Sequence, residues 1–243
     1  MATQHKITHH YQPTNTTCGY AALAMLLSFY GQEVSVDDLL ASVQQPTDKN
    51  GDPTGSITTE LISWCLKQGF RSKLYSFDCE LLDLSWQKLN QSEMRSKIEL
   101  HATTRDVLGL GNEYAQRYLL GYANMMKAGG ELTIAPHVTT KLINELLEQA
   151  PVYANVCSDV MDNLGRTKTV GLREFKEDDI NGRLHTHSIV VYGTNDAGDY
   201  LVADPWRGLR ILDPETLLCS ITMAQIECDN MIFQLMRDDS ADS

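Results

Sequence analysis

Tyr11-Gln12-Pro13-Thr14-Asn15-Thr16-Thr17-Cys18-Gly19-Tyr20-Ala21-Ala22 is a polar approach that turns apolar at a cysteine. From Cys18 to Tyr30 the residues Ala21, Ala22, Met25, Leu26 and Phe29 recur at helical spacing, and Gly31 ends the run. Thr16 and Thr17 are placed to cap this helix. A cysteine in the first turn feels the positive end of the helix dipole, which favours thiolate over thiol, and the thiolate is the nucleophile. Gln12, six residues upstream, can turn an amide N–H toward an oxyanion forming beside Cys18, with the Cys18 backbone N–H as second donor.

A cysteine nucleophile needs a base, and the base needs an orienter. His185-Thr186-His187-Ser188-Ile189-Val190-Val191-Tyr192-Gly193 places His187 at the start of an apolar strand. A turn at Asp196-Ala197-Gly198 leads to a second strand, Tyr200-Leu201-Val202-Ala203, which Asp204 closes. Antiparallel neighbours bring Asp204 beside His187, where it can take the second ring N–H. His185 is the rival base. It shares the strand face and is read as a cleft-wall or substrate contact, or as simply exposed. Trp206, just past Asp204, is read as a substrate contact that can also shield the acid–imidazole bond, with ordinary core packing as the alternative.

The Gln-x5-Cys-Gly opening, the helix ending Phe29-Tyr30-Gly31, the His-x2-Val-Val-x-Gly strand and Asp204-Pro205 resemble the C39-like cysteine peptidases, a bacterial, papain-like family. The resemblance covers residues 10–75 and 136–213. It implies Gln12 as oxyanion donor, Cys18 as nucleophile, His187 as base and Asp204 as orienter, with Gly19 and Tyr20 beside the nucleophile. Tyr20 stands where the family carries proline, which would alter the cleft. The implied fold is papain-like α+β, an N-terminal helical half on an antiparallel sheet, with the cleft between. The expected reaction is thiol-dependent cleavage of a peptide amide bond with no metal or cofactor. An acyl transferase or deamidase using the same triad, or a peptide-binding protein without turnover, are the alternatives.

The rest of the chain fits one core of ordinary size: 243 residues, 42% hydrophobic and 21% charged. A net charge of −12 disfavours phosphate backbones and anionic membranes, so nucleic-acid or membrane partners are not expected. No run is long enough to span a bilayer, no export signal or transporter portion is expected, and a cytoplasmic setting follows. The other five cysteines, at 65, 79, 157, 219 and 228, have no CxxC spacing and read as free thiols, mostly buried. His5, His9 and His10 read as part of a flexible polar N-terminus.

Further helices are expected over 36–43, 56–68, 139–149 and 214–223, and strands over 70–77, 132–134, 151–157, 209–212 and 231–235. Residues 78–135 exceed what the family pattern needs and read as a helical insertion, with helices over 81–89, 105–110 and 113–126. The whole is expected to be one domain, 1–238, with that insertion as a lobe controlling access and 239–243 as a tail. Gly129-Gly130 looks like a double-glycine cleavage site but is read as a helix stop.

Overall fold

The computed structural model describes residues 3–104, 112–171, 174–227 and 229–237. Its first helix, α1 (Cys18–Phe29), is buried from Cys18 to Leu27. A helix apolar on every side can only sit inside a core. Gly31 then turns the chain at φ +73°, the left-handed geometry glycine adopts without strain. Thr17 occupies the capping position, but its hydroxyl turns back and donates to the Thr14 carbonyl, so it does not cap α1.

Next come α2 (Val36–Ser42), α3 (Thr58–Lys67), β1 (Phe70–Ser76), α4 (Gln91–Thr104), α5 (Asn112–Lys127) and β2 (Glu131–Ile134). The chain continues through α6 (Thr140–Leu147), β3 (Val152–Cys157), α7 (Ser158–Met161) and the hairpin β4 (Thr167–Gly171) and β5 (Glu174–Glu177). It closes with β6 (Thr186–Thr194), β7 (Tyr200–Asp204), β8 (Gly208–Leu212), α8 (Pro214–Met223) and β9 (Met231–Arg237). Side chains cap several starts: Ser35 and Asp38 form a reciprocal capping box on α2, Thr139 caps α6 and Asp213 caps α8.

Seven strands form one sheet in the order β2-β1-β9-β3-β6-β7-β8. All neighbours are antiparallel except β1 and β2, so the sheet is mixed, not wholly antiparallel as expected. β9 does more than close the edge: it lies between β1 and β3. The fold class is α+β.

The two-residue period of the strands divides the apolar side chains between two faces. Leu74, Tyr153, Val190 and Phe233 face one way, into a core with α1, α3, α4 and α5. Tyr75, Ala154, Ile189 and Ile232 face the other, toward α6 and α8. Helices therefore cover both faces of the sheet, where the sequence suggested a single helical half.

The described helices of the 78–135 segment pack into the first of these cores. Met94, Ile98, Leu119 and Tyr122 join the α1 cluster, and Tyr122 hydrogen-bonds Ser76 of β1 at 2.9 Å. Within this segment 81–89 contains only a 3-10 turn at Leu84–Lys88, α4 appears where no helix was expected, and the expected helix at 105–110 lies outside the described residues. Gly129, at φ +100°, ends α5, and Gly130 is buried against Met125 and Ser72, as a helix stop should be.

The N-terminal segment is not loose. His5 N–H donates to the Tyr192 carbonyl and Gln4 bridges Gly193, extending the sheet beside β6. His5 Nε2 donates to the Leu147 carbonyl and His9 Nε2 to the Asp204 carbonyl, at 2.7 and 2.9 Å. Among the described residues, no helix is long and apolar enough to cross a membrane.

Candidate active site

Cys18 stands at the first position of α1, where the helix leaves its leading N–H groups without intrahelical partners. The α1 helix packs on β6, which brings the thiol to the two residues that begin that strand's apolar run. The Cys18 Sγ donates to Ser188 Oγ at 3.8 Å, and Ser188 Oγ donates onward to Asn155 Oδ1 at 2.9 Å. Asn155 Nδ2 donates to Thr58 Oγ1, also at 2.9 Å, so the thiol's surroundings are tied to both β3 and α3.

His187, 9% exposed, donates from Nε2 to Asp204 Oδ1 at 2.8 Å. That bond fixes the tautomer and leaves Nδ1 as the ring nitrogen available to Cys18. Asp204, 1% exposed, has further donors around it. The backbone N–H groups of Trp206 and Arg207 reach Oδ1 at 2.7 and 3.1 Å, and Arg210 Nη1 reaches Oδ2 at 3.0 Å. Arg210 Nη2 also pairs with Asp162 at 2.6 Å, and Arg207 joins the same carboxylate at 3.2 Å.

These contacts set the charges. Burial pushes the Cys18 thiol up, but the hydrogen bond and charge of His187 outweigh it and the pKa falls below the ordinary thiol value. Burial would lower His187; Asp204, then Cys18, reverse this and raise it. Burial likewise opposes ionisation of Asp204, and His187, the Trp206 N–H and Arg210 hold its carboxyl below the usual carboxylate range. Cys65, Cys79 and Cys157 move the other way from Cys18, pushed up chiefly by burial. Of the five secondary cysteines, Cys65 and Cys157 are buried as expected, Cys79 and Cys219 are exposed, and Cys228 lies outside the described residues.

The thiol and the imidazole–carboxylate pair open onto a cleft of about 840 Å³. Gln12, His185 and Trp206 line it with them. Gln12 Nε2 donates one hydrogen to the Thr14 carbonyl at 2.6 Å, while Oε1 is buried without a partner. His185 Nε2 donates to the Thr167 carbonyl at 3.2 Å, and its ring meets Phe175 of the hairpin edge-on. Phe175 also meets Trp206, so β5 leans across the cleft mouth. Asn15 Nδ2 donates to the Gly171 carbonyl at 2.6 Å, joining the hairpin to the loop before α1. Arg117 and Tyr118 of α5 reach the cleft from the insertion.

Gly19 and Tyr20 do not line the cleft. Each residue advances about 100° around a helix, so the two positions after Cys18 turn inward. Tyr20 is fully buried, with its hydroxyl donating to the Val43 carbonyl at 3.3 Å. A Cβ at Gly19 would fall 1.9 Å from Ser56 Oγ and 3.0 Å from the Tyr153 hydroxyl, so glycine lets α1 approach these neighbours. Sequence reasoning missed Arg210, Asp162 and Asp229, none of which stands in a recognisable motif.

A helix-borne thiol in a cleft opposite an imidazole–carboxylate pair on a sheet is the arrangement that the motif resemblance implies. The family model described as Peptidase_C39 like family matches residues 4–93, which contain Gln12 and Cys18. Over that stretch the resemblance drawn from the motifs is shown. No curated protein matches the chain. Among solved structures it is similar to the peptidase domain of Streptococcus ComA, a bi-functional ABC transporter involved in a quorum sensing pathway. There the identity is 16%, the coverage 96% of this chain and 99% of that one, and the TM-score 0.43. A double glycine motif protease from an AMS/PCAT transporter, in complex with its leader peptide, is 11% identical over 98% and 99% of the two chains, with TM-score 0.45. A protein from Bacillus anthracis described as a C39-like peptidase is 11% identical over 98% of each, with TM-score 0.47.

Proposed function

We propose that the chain hydrolyses peptide amide bonds with Cys18 as nucleophile, His187 as general base and acid, and Asp204 as the group that orients and charges the imidazole. The observation that carries this reading is the 2.8 Å bond from His187 Nε2 to Asp204 Oδ1, which leaves Nδ1 to take the Cys18 proton. The thiolate attacks the carbonyl carbon, and the negative oxygen gathers at the N-terminus of α1 beside the Cys18 N–H. Gln12 supplies the second donor from the N–H that Thr14 does not hold. His187 then protonates the leaving amine, the acyl group remains on sulfur as a thioester, and water activated by His187 releases it. The exposed mouth of the cleft and its size suit an extended peptide.

Limiting iodoacetamide near pH 6 tests the nucleophile. Cys18 is expected to be alkylated ahead of the exposed Cys79 and Cys219, and uniform labelling would count against this reading. Mass spectrometry of a peptide library is expected to show cut backbones, absent with Cys18→Ser. A one-dalton gain or a new amide would instead indicate a deamidase or transferase. For Gln12→Ala we expect kcat to fall by roughly 10²–10³-fold.

A further inference from the structure

Asp229 lies in the short segment leading into β9, on the cleft wall near Asn155. It is 8% exposed, and its Oδ1 is buried with no hydrogen-bond partner. None of the catalytic steps proposed above uses it. A buried polar atom without a partner is disfavoured in a native structure unless something arrives to satisfy it.

The surroundings say what would satisfy it. Burial first, then the negative charges of Glu227, Cys18 and Asp78, hold the carboxyl well above the ordinary carboxylate range, while an Asn155 hydrogen bond acts weakly the other way. Three arginines line the cleft: Arg117 pairs with Glu60, Arg207 with Asp162, and Arg183 is held through its backbone beside Thr167. The surrounding negative charges thus disfavour ionisation of a carboxyl whose Oδ1 has no partner, and a positive charge would relieve both.

We propose that Asp229 forms the floor of a subsite that takes a basic side chain, lysine or arginine, from a substrate residue close to the scissile amide. The proposal rests on Cys18 being the attacking thiol and narrows its substrates. When the ammonium or guanidinium enters, Asp229 releases its proton to solvent, and the resulting carboxylate accepts hydrogen bonds from the cation. A neutral side chain of similar length fills the same space but leaves Oδ1 unpartnered, so discrimination arises from charge and not from size.

The test is a set of matched fluorogenic peptides in which each position flanking the scissile bond is lysine, arginine, glutamine, norleucine or glutamate in turn. At one position the wild-type protein should prefer lysine and arginine over norleucine and glutamine by about tenfold or more in kcat/KM. Asp229→Asn, or Asp229→Ser should the first fold poorly, should collapse that ratio while iodoacetamide still selects Cys18. Absence of a basic preference at every position, or its survival in a folded Asp229 variant, would overturn the proposal. If no peptide is cut, the peptidase reading fails on its own. The subsite is then decided by fluorescence anisotropy of the same peptides, dye-labelled, on Cys18→Ala protein. Tighter binding of the lysine and arginine peptides supports it, and equal binding of the norleucine peptide refutes it.

Discussion

Arg210 holds Asp204 from the side away from His187: Nη1 lies 3.0 Å from Oδ2, while His187 Nε2 lies 2.8 Å from Oδ1. Both oxygens of the buried carboxylate are therefore occupied, and the acid cannot swing away from the imidazole without breaking a charged hydrogen bond.

Replacing Arg210 by methionine keeps much of the side chain's bulk and removes the fork. A hydrogen bond to a charged group contributes about 1.5–3 kcal/mol, so a thermal melt should show destabilisation of that order. The kcat should fall as well, with Arg210→Lys between the two because a lysine cannot span Asp204 and Asp162 as a planar fork does. Unchanged kcat in a folded Arg210→Met protein would assign Arg210 to stability alone.

The charges in the cleft make a prediction about pH. With Cys18 lowered and His187 raised, the thiolate–imidazolium pair should persist between the two titrations, giving a bell-shaped kcat/KM profile. Asp204→Asn removes the charge that raises His187, so the alkaline limb should move to lower pH, and the thiol, facing a weaker imidazolium, should titrate higher. The bell narrows from both sides and kcat falls on the order of 10⁴-fold.

Stability follows the same signs. The depressed Asp204 contributes stability above its ordinary 3.8 and loses it as pH falls, whereas the raised His187 contributes fully below 6.5 and loses it as pH climbs through its folded value. Melts of the wild type should therefore lose this contribution on both flanks, and those of Asp204→Asn should not.

Removing His187 as alanine is expected to lower kcat by roughly 10²–10⁴-fold and to abolish selective labelling of Cys18. His185→Ala should stay within about tenfold in kcat, with the change mainly in KM, because that imidazole is already committed to the Thr167 carbonyl and Phe175. The reverse pattern would exchange the two roles.

Leu119 is fully buried in the cluster that α5 shares with α1. Leu119→Ala should cost about 2–5 kcal/mol, read from denaturant melts. A loss well below that range would show that α5 rides on the core as a separable lobe.

Much of this was legible in the chain. The Cys18 helix, its Gly31 stop, the His187 strand and the Asp204 turn are short, local patterns with strong periodicity or turn chemistry. Other elements carried little local signal. In α4 the buried face is a thin line of Met94, Ile98 and Ala102 among polar residues, too sparse to stand out. The β4–β5 hairpin is almost wholly exposed, so it has no apolar alternation to announce it. His5 and His9 looked like part of a loose polar run because their partners, the carbonyls of Leu147 and Asp204, are far away in sequence. Arg210 meets Asp204 and Asp162, and Asp229 meets Asn155, only once distant parts of the chain have come together.

The place of β9 sets an order of events for folding. Among the described residues, β2-β1 on one side and β3-β6-β7-β8 on the other are joined within the sheet solely through residues 231–237. The nascent chain can pair each part alone, but the two cannot become one sheet until that segment leaves the ribosome. Such late, long-range pairing is slow and exposes unpaired edges while it waits. Completion of the sheet thus works as a maturation step, and a chain cut just before Met231 would have two half-sheets that share the α1 and α3 core but no strand between them.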